Sequence, residues 1–388
     1  MNFDFSDRLK KLPPYLFVEI DMAKRKARSE GKDIIDVGIG DPDEATPKEV
    51  IESLYEASKD SKNHHYPLDE GIPELKKGIA EWYSARFNVE LDPPKEILVL
   101  IGSKEGIAHM PLAFTNPGDV NLVSEPGYPP YNSGTIFAGG ISYEMSLLEE
   151  NNFLPDLKNI DASVLKKAKI MFINYPNNPT GAVCEKGFFE DTVLFAKKHN
   201  IIVAHDAAYS EVTFDGYRSD SFLKVEGARE MGVEFHSLSK TCNMCGWRIG
   251  FVCGNENILR GIAKVKANID SGAFNAIQRA AITALDISGK HGERMNKTYT
   301  ERRDVLVDGL NSMGWTTRKP KATFYVWTRL PKGHKGSIEF AKLVLDKAGI
   351  VITPGVGFGK SGEGYVRMAL TVSKERTQEA VDRLRKIL

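Results

Sequence analysis

The chain has 388 residues, 41% hydrophobic and 27% charged, which is typical of a globular protein large enough for two domains. Its 52 Lys and Arg residues balance 52 Asp and Glu residues, so the charge does not indicate a nucleic-acid partner. Four cysteines are too few for a disulfide scaffold, and no apolar stretch is long enough to cross a bilayer. The N-terminal stretch has charges where a secretion signal needs an apolar run, so we expect a cytoplasmic protein without a membrane partner.

The first predicted elements are a helix and a short strand. Apolar residues recur at helical spacing over residues 16–30. The apolar run at residues 34–37 predicts a strand, and the glycine-rich segment 38–42 predicts a tight loop after it.

Short apolar runs then alternate with helical patterns as far as residue 290. Several of these runs lack polar alternation, which is typical of strands covered on both faces. The repeated alternation predicts an α/β fold with a large, mostly parallel sheet and helices on both sides. The predicted strands lie at residues 97–100, 120–123, 141–145, 170–173, 201–204, 234–237 and 250–253.

The C-terminal part of the chain has a different pattern. It predicts a long helix over residues 291–313, then a mixture of strands and helices. We therefore predict a large domain at residues 47–290 and a small α+β domain. The small domain combines residues 1–46 with residues 291–388, since the strand at 34–37 precedes the large sheet.

A lysine follows the predicted strand 234–237. Lys240 thus lies at the carboxyl edge of the sheet, where α/β proteins bind ligands, and its amine could act as a nucleophile. Ser237 and Arg248 lie nearby in sequence and could bind a phosphate, the arginine through two parallel hydrogen bonds. Taken alone, the segment could also be a surface lysine beside a turn.

Two further strand ends carry polar side chains. Asn178 lies in the turn 174–181, which could also be a plain strand-to-helix connection. Asp206 follows a buried strand, where a carboxylate needs a partner such as a protonated pyridine nitrogen. Tyr209 could donate to an oxygen on the same ring. Because side chains alternate along a strand, His205 should face away from Asp206 and be structural.

A possible anion site follows the strand 97–100. Ser103 and Lys104 begin a helix there, and backbone N–H groups at a helix N-terminus bind anions; alternatively, Ser103 is an ordinary N-cap. Together the four segments supply an amine, an acid, a ring-oxygen donor and an anion site. Pyridoxal 5'-phosphate requires this combination.

The chain resembles the class I and II aminotransferases of fold type I over essentially its whole length. The motifs are N-N-P-T-G at residues 177–181, D-x-x-Y at 206–209, S-x-S-K at 237–240 and G-W-R-I-G at 246–250, in family order. The stretches LPPYLFVEID, HDAAYSEVTFDGYR and VITPGVGFG are most similar to the branch that acts on LL-diaminopimelate. The resemblance implies an enzyme of lysine biosynthesis that moves an amino group between LL-2,6-diaminopimelate and 2-oxoglutarate.

The resemblance also implies a role for each matched residue. Lys240, Asp206 and Tyr209 would be the catalytic group. Arg367 would bind the substrate α-carboxylate, assisted by Gly38 and Asn178, although an arginine there could instead form a surface ion pair. The cofactor would be bound by Ser103, Lys104 through its backbone N–H, Tyr128, Asn178, Asp206, Tyr209, Ser237, Lys240, Arg248 and, from the neighbouring subunit, Tyr66.

The family builds its sites at a dimer interface, so the resemblance implies a homodimer. Residues that recognise the far end of the substrate would then come partly from the partner subunit. The candidates are Tyr15, Asp69, Glu70, Lys104 and Asn275, each of which could instead be a turn, cap or surface residue. Tyr66 and Tyr128 could likewise be interface or core aromatics.

Two alternatives and one departure stay open at this point. Another amino-acid aminotransferase, of the alanine or aspartate type, or a C–S lyase would use the same cofactor residues. Cys242 and Cys245 stand where this branch usually has an aromatic residue and a threonine. We expect buried thiols there and no metal site, since further ligands at metal spacing are missing from the sequence.

Overall fold

The computed structural model describes residues 3–13 and 16–388. Within these ranges, no helix is both long and apolar enough to cross a membrane. The helices are α1 Asp7–Lys10, α2 Leu16–Ser29, α3 Lys48–Ser58, α4 Pro73–Phe87, α5 Pro93–Glu96, α6 Ser103–Phe114, α7 Pro130–Phe137, α8 Ala162–Leu165, α9 Lys186–His199, α10 Ala228–Met231, α11 Leu238–Thr241, α12 Glu256–Ile269, α13 Asn275–Ser312, α14 Ser337–Ala348 and α15 Lys374–Arg385. The strands are β1 Ile35–Asp36, β2 Ile97–Leu100, β3 Val120–Glu125, β4 Ile141–Ser146, β5 Ala168–Asn174, β6 Ile202–Asp206, β7 Gly232–Ser237, β8 Gly250–Gly254, β9 Tyr325–Arg329, β10 Ile350–Val351, β11 Thr353–Pro354 and β12 Tyr365–Ala369.

Seven strands form the large sheet, in the order β2-β8-β7-β6-β5-β3-β4. β7, β6, β5, β3 and β4 pair in parallel, whereas β8 is antiparallel to both β7 and β2. All seven correspond to strands predicted from apolar runs. The prediction of a large, mostly parallel sheet is therefore confirmed.

The continuous apolar runs reflect burial on both faces of this sheet. On β5, Ile170 and Phe172 belong to one hydrophobic cluster, and Met171 and Ile173 belong to another. Because successive side chains point to opposite faces, both sets must be apolar when helices cover both sides.

The parallel strands β5, β6 and β7 end side by side. Asn174 at the end of β5 pairs with Asp206 at the end of β6, and Ser237 ends the next strand, β7. Adjacent strands are roughly 4.8 Å apart, so the residues after these strands converge at one edge.

A second group of strands lies towards the ends of the chain. β11, β12 and β9 form an antiparallel sheet, while β1 pairs in parallel with β10. The N-terminal strand thus joins the C-terminal part, as expected. The threonine Thr371 donates to the carbonyl oxygen of Ile39 at 2.8 Å, which fixes the loop after β1 against the segment that follows β12.

Helix α13 differs from the prediction. It begins at Asn275, not at residue 291, and runs without interruption for 38 residues. Gly289 and Gly292 both lie inside the helix. The first half of α13 packs in the core of the large sheet and the second half in the core of the C-terminal part. The predicted division at residue 290 falls inside this shared helix.

Candidate active site

A cavity of about 350 Å³ opens at the carboxyl edge of β5, β6 and β7. The loop after β1, the start of α6 and strands β9 and β12 complete its wall. The predicted site residues that line it are Ser103, Lys104, Tyr128, Asn178, Asp206, Tyr209, Ser237, Lys240, Arg248 and Arg367.

Lys240 projects into this cavity from α11, the single turn that follows β7. Its Nζ donates to the carbonyl oxygen of Gly40 at 2.8 Å and lies 3.4 Å from Sγ of Cys245. The amine also lies 5.5 Å from the centre of the Phe324 ring. The lysine is therefore held at the cavity wall by neutral partners, with its amine accessible to a ligand.

Asp206 is buried at the end of β6. Oδ2 accepts a hydrogen bond of 2.8 Å from the Tyr131 hydroxyl, and Oδ1 accepts one of 3.3 Å from the backbone N–H of Ala208. Burial raises the pKa of Asp206 above its usual range, and the bond from Tyr131 opposes that shift. A cationic ligand atom would stabilise the ionised carboxylate further.

The turn after β5 is built by asparagine side chains. Oδ1 of Asn174 accepts from the backbone N–H of Asn178 at 2.7 Å, and Nδ2 of Asn174 donates to the carbonyl oxygen of Asp206 at 2.6 Å. The same side chain therefore fixes the turn that carries Asn178 and ties it to the end of β6. This asparagine was not among the predicted site residues.

Tyr209 lines the cavity, and its hydroxyl lies 3.0 Å from the hydroxyl of Tyr325, on β9. Burial raises the pKa of Tyr209 well above its usual range, with the Tyr325 hydroxyl as the next cause. Tyr209 is therefore protonated at neutral pH and can donate a hydrogen bond.

The expected anion site lies between α6 and Arg248. Gly102 is the N-cap of α6, with φ of 77°, so the alternative in which Ser103 is the N-cap is wrong. Arg248 Nη1 donates to the Cys245 carbonyl oxygen at 2.9 Å, which aims the guanidinium across the start of the helix. A Cβ on Gly102 would lie 2.5 Å from Nη2 of Arg248. Only glycine lets the guanidinium lie this close to the start of the helix.

A buried charge pair supports the start of α6. Glu105 accepts a 2.6 Å hydrogen bond from the backbone N–H of Ile101 and lies 3.2 Å from Nζ of the buried Lys266. This carboxylate takes up one of the N–H groups just before the helix and leaves those of the first turn directed at the cavity.

Arg367 is buried on β12, with 3% of its surface exposed. Nη1 donates to Oδ1 of Asn178 at 2.8 Å, and Nη2 donates to the Gly38 carbonyl oxygen at 2.7 Å. The guanidinium lies between two rings, at 4.1 Å from Tyr325 and 4.6 Å from Phe358. It is therefore not a surface ion pair but a fixed cation at the cavity wall.

Gly38 lies elsewhere than expected. It does not line the cavity; its carbonyl oxygen binds Arg367 from behind and also accepts from the Thr353 hydroxyl at 2.7 Å. Its contribution is to orient the guanidinium. Ile39 and Gly40, the next two residues, line the cavity in its place.

The far-end candidates do not gather in the cavity of their own chain. Asp69 and Glu70 line a separate cavity of about 760 Å³, and Asn275 lies at the start of α13. Tyr66 is 96% exposed. Lys104 does line the catalytic cavity, and Tyr15 lies outside the described residues.

The loops that carry these residues are neighbours. Gln278 Oε1 accepts from the backbone N–H of Ile72 at 2.8 Å, and Gln278 Nε2 donates to Oδ1 of Asn275 at 3.4 Å. Tyr66, Asp69, Glu70 and Asn275 thus lie around one surface of the chain.

The histidine beside Asp206 has a structural environment, as expected. His205 is fully buried on the opposite face, with Nδ1 2.8 Å from Glu234 and Nε2 2.9 Å from the Tyr175 carbonyl oxygen. Both ring nitrogens face acceptors, so this side chain ties β6 to β7 and does not reach the cavity.

The two cysteines of the C-x-x-C segment are free thiols with separate surroundings. Sγ of Cys242 donates to the Ala284 carbonyl oxygen at 3.3 Å, and burial raises its pKa to about 12. Cys245 lines the cavity beside Lys240, and burial raises the pKa of this thiol as well.

Besides Asn174, three residues that contact the predicted site residues were not predicted: Tyr131, Tyr325 and Phe358. Each contacts a predicted residue, Asp206 in the first case and Arg367 in the other two. Tyr131 lies in the segment that begins with Tyr128, and the two rings meet edge to face at 5.8 Å. For Tyr131, the one local signal in the sequence is its position three residues after Tyr128.

These residues fit pyridoxal 5'-phosphate. The buried Asp206 carboxylate has only neutral hydrogen-bond donors among its contacts and can take a protonated ring nitrogen. Because Gly102 lets the Arg248 guanidinium lie against the start of α6, a cation and the N–H groups of the first helical turn lie together at the cavity and suit a phosphate. The Lys240 amine is available to an aldehyde.

Comparisons with known proteins agree with this reading. The family model for aminotransferase class I and II matches residues 32–384. An LL-diaminopimelate aminotransferase of Syntrophobacter fumaroxidans is 56% identical over 387 residues, covering 100% of both chains. One of Moorella thermoacetica is 53% identical over 381 residues, covering 98% of this chain and 97% of its own.

The fold of the chain is also similar to that of solved structures. Substrate-bound BacF from Bacillus subtilis has a TM-score of 0.96 at 39% identity, covering 100% of this chain and 98% of its own. A single mutant of the Thermus thermophilus aspartate aminotransferase has a TM-score of 0.93 at 28% identity, with 100% of both chains covered. Such enzymes are fold-type I aminotransferases that depend on pyridoxal phosphate. The chain belongs to the class I and II aminotransferase family.

Proposed function

We propose that this aminotransferase moves the amino group between LL-2,6-diaminopimelate and 2-oxoglutarate, forming tetrahydrodipicolinate and glutamate in lysine biosynthesis. The observation that supports it most is full-length identity of 50% or more to several LL-diaminopimelate aminotransferases. Arg367, buried between two rings at the wall of the Lys240 cavity, suits the α-carboxylate of either substrate.

The roles we assign follow the contacts. Lys240 would hold the cofactor covalently, and Asp206 would keep its ring nitrogen protonated. Tyr209 and Asn178 would donate to the ring oxygen. When bound, pyridoxal phosphate supplies an aldehyde and a ring that stabilises negative charge at the substrate α-carbon. Ser103, the backbone N–H of Lys104, Ser237 and Arg248 would hold its phosphate, and Tyr128 would pack against its ring.

We assign proton transfer to Lys240. With the cofactor and a substrate bound, Nζ of Lys240 would act as the general base that takes the proton from the substrate α-carbon. Its neighbours, the Gly40 carbonyl oxygen and the Cys245 thiol, hold Nζ at the wall of the cavity. Arg367 meanwhile holds the carboxylate, which fixes the α-carbon near Nζ.

The substrate claim depends on the far end of the ligand. Diaminopimelate has a second ammonium and a second carboxylate, and a site with fixed polar partners for them rejects analogues that lack them. Lys104 lines the cavity, and we assign Asp69, Glu70 and Asn275 to the cavity of the partner subunit. Tyr15 remains a further candidate from the N-terminal segment.

We assign a homodimer on the basis of the surface that carries these residues. Tyr66 is 96% exposed, Leu68 is 61% exposed and Phe274 is 41% exposed, and the Phe274 ring lies 6.3 Å from the ring of His64 in the same loop as Tyr66. Exposed aromatic and aliphatic side chains clustered on one surface are typical of protein interfaces. From there Tyr66 would reach the cofactor phosphate of the partner. Four free thiols support a cytoplasmic location.

A panel of amino donors tests the proposal, with 2-oxoglutarate as acceptor and glutamate as the measured product. We expect LL-diaminopimelate to give the highest kcat/KM, above meso-diaminopimelate, alanine, aspartate and aromatic amino acids. A higher value for alanine or aspartate would replace the substrate assignment. Release of pyruvate from cystathionine without 2-oxoglutarate would identify a C–S lyase instead.

A further inference from the structure

We propose that Glu125 is a positioning residue for the substrate-carboxylate site. From the end of β3 it holds the loop 355–362 in place, and that loop supplies the Phe358 ring that packs on Arg367. The inference rests on the proposed role of Arg367 and deepens it, because it adds a connection from the large sheet to the carboxylate site.

Glu125 is buried, with 5% of its surface exposed. Its Oε1 accepts a hydrogen bond of 2.7 Å from the backbone N–H of Ser361. A buried carboxylate is costly unless it is paired or hydrogen-bonded, so this contact stabilises both the side chain and the loop that donates to it.

The loop fits closely against this side chain. Gly359 has φ of 120°, and a Cβ there would lie 2.4 Å from Cγ of Glu125. Gly127, two residues after Glu125, donates its backbone N–H to the carbonyl oxygen of Phe358 at 2.9 Å. The segment after β3 is therefore joined to the loop on both sides of Gly359.

The residue fixed by these contacts forms part of the site. Phe358 lines the catalytic cavity and lies 4.6 Å from the Arg367 guanidinium, opposite Tyr325 at 4.1 Å. Its ring also meets Trp327 edge to face at 6.0 Å. Tyr325 is on a strand paired with β12, whereas Phe358 is on a loop. Its position therefore depends on the contacts of that loop.

This arrangement assigns separate effects to two substitutions. Glu125→Ala removes the acceptor for Ser361, so the loop and Phe358 shift away from Arg367. Glu125→Gln keeps an oxygen acceptor of the same reach. Neither substitution touches the residues that bind the cofactor, so affinity for pyridoxal phosphate should stay close to that of the unmodified protein.

The test measures KM for the most active amino donor, kcat, and the Kd of pyridoxal phosphate in the same variants. For Glu125→Ala we expect KM to rise about three- to tenfold, the size of a lost cation–π contact, with the cofactor Kd within about twofold. Glu125→Gln should restore most of the loss. Equal KM in all three proteins, or a parallel loss of cofactor affinity, would overturn the inference.

A double-mutant cycle separates positioning from general damage to the fold. If Glu125 acts through Phe358, the double variant Glu125→Ala with Phe358→Leu should raise KM no more than Phe358→Leu alone. Multiplicative effects would refute the proposal. Arg367→Lys tests the underlying role: an unchanged KM would remove the carboxylate site and this inference with it. A best donor other than diaminopimelate would change only the substrate assignment.

Discussion

The Tyr131 hydroxyl donates a 2.8 Å hydrogen bond to Oδ2 of Asp206, and both residues are buried. The Tyr131 ring stacks on Phe172 at 5.2 Å between centres, so its hydroxyl has little freedom to turn away. Burial, followed by the charge of Asp206, raises the pKa of Tyr131 well above its usual range, which keeps the proton on the phenol. The tyrosine therefore orients the carboxylate that we assign to the cofactor ring nitrogen.

Tyr131→Phe should weaken binding of pyridoxal phosphate. A hydrogen bond to a charged group contributes about 1.5–3 kcal/mol, so we expect the Kd of the cofactor to rise roughly tenfold or more. Spectroscopic titration of the cofactor-free protein measures this Kd. Tyr175→Phe is the matched control, since Tyr175 is an equally buried tyrosine whose hydroxyl donates to the Phe153 carbonyl oxygen away from the cavity. Equal Kd values for the two variants would show that Tyr131 has no special role.

Gly102→Ala should block the phosphate site. The new Cβ would lie 2.5 Å from Nη2 of Arg248, so the guanidinium must move away from the start of α6. Gly118→Ala is the control, because Gly118 has a similar φ of 90° and nothing within 4 Å of its Cβ. Both variants should lose about 1–3 kcal/mol of stability, because a residue with a Cβ is strained at positive φ. Only Gly102→Ala should also lose cofactor affinity in the same titration.

Glu144 should make stability depend on pH. A hydrogen bond with Glu125, followed by burial, raises the pKa of Glu144 from its ordinary 4.5 to about 7. The folded protein then binds this proton more tightly than the unfolded chain does. The stabilisation is complete below pH 4.5 and is lost as the pH rises towards 7. Lys360 also faces Glu144 and opposes the shift.

Chemical denaturation at several pH values measures this effect. Between pH 5 and 8, Glu144→Gln should flatten the decline in unfolding free energy, and Glu150→Gln, at an exposed glutamate, should leave it in place. If the unmodified protein, Glu144→Gln and Glu150→Gln all show the same slope of unfolding free energy against pH, then Glu125 does not raise the pKa of Glu144.

The large sheet and the centre of the site could be predicted from the sequence because their signals are local. A continuous apolar run followed by a polar residue identifies a buried parallel strand and its end, as at Asp206. The carboxyl ends of such strands meet at one edge of the sheet. The sequence therefore predicts that Asn178, Asp206 and Lys240 lie close together there.

Other features depend on distant parts of the chain. The bond between Tyr131 and Asp206 and the packing of Phe358 on Arg367 join separate elements, and no local pattern marks them. Helix α13 was predicted to begin too late, since its first half is fixed by packing in the core of the large sheet, which the local sequence pattern does not show. The far-end residues could not be placed, because their assigned site includes a second subunit.

The central claim is that Lys240 carries the cofactor, and the visible absorption spectrum of Lys240→Ala tests it most directly. We expect the variant, reconstituted with pyridoxal phosphate, to lack the band of the lysine-bound cofactor and to lose at least about a thousandfold in kcat, in line with loss of the general base and nucleophile. Lys104→Ala, at the other lysine that lines the cavity, should keep the band. A normal band with near-normal transamination in Lys240→Ala would contradict the account.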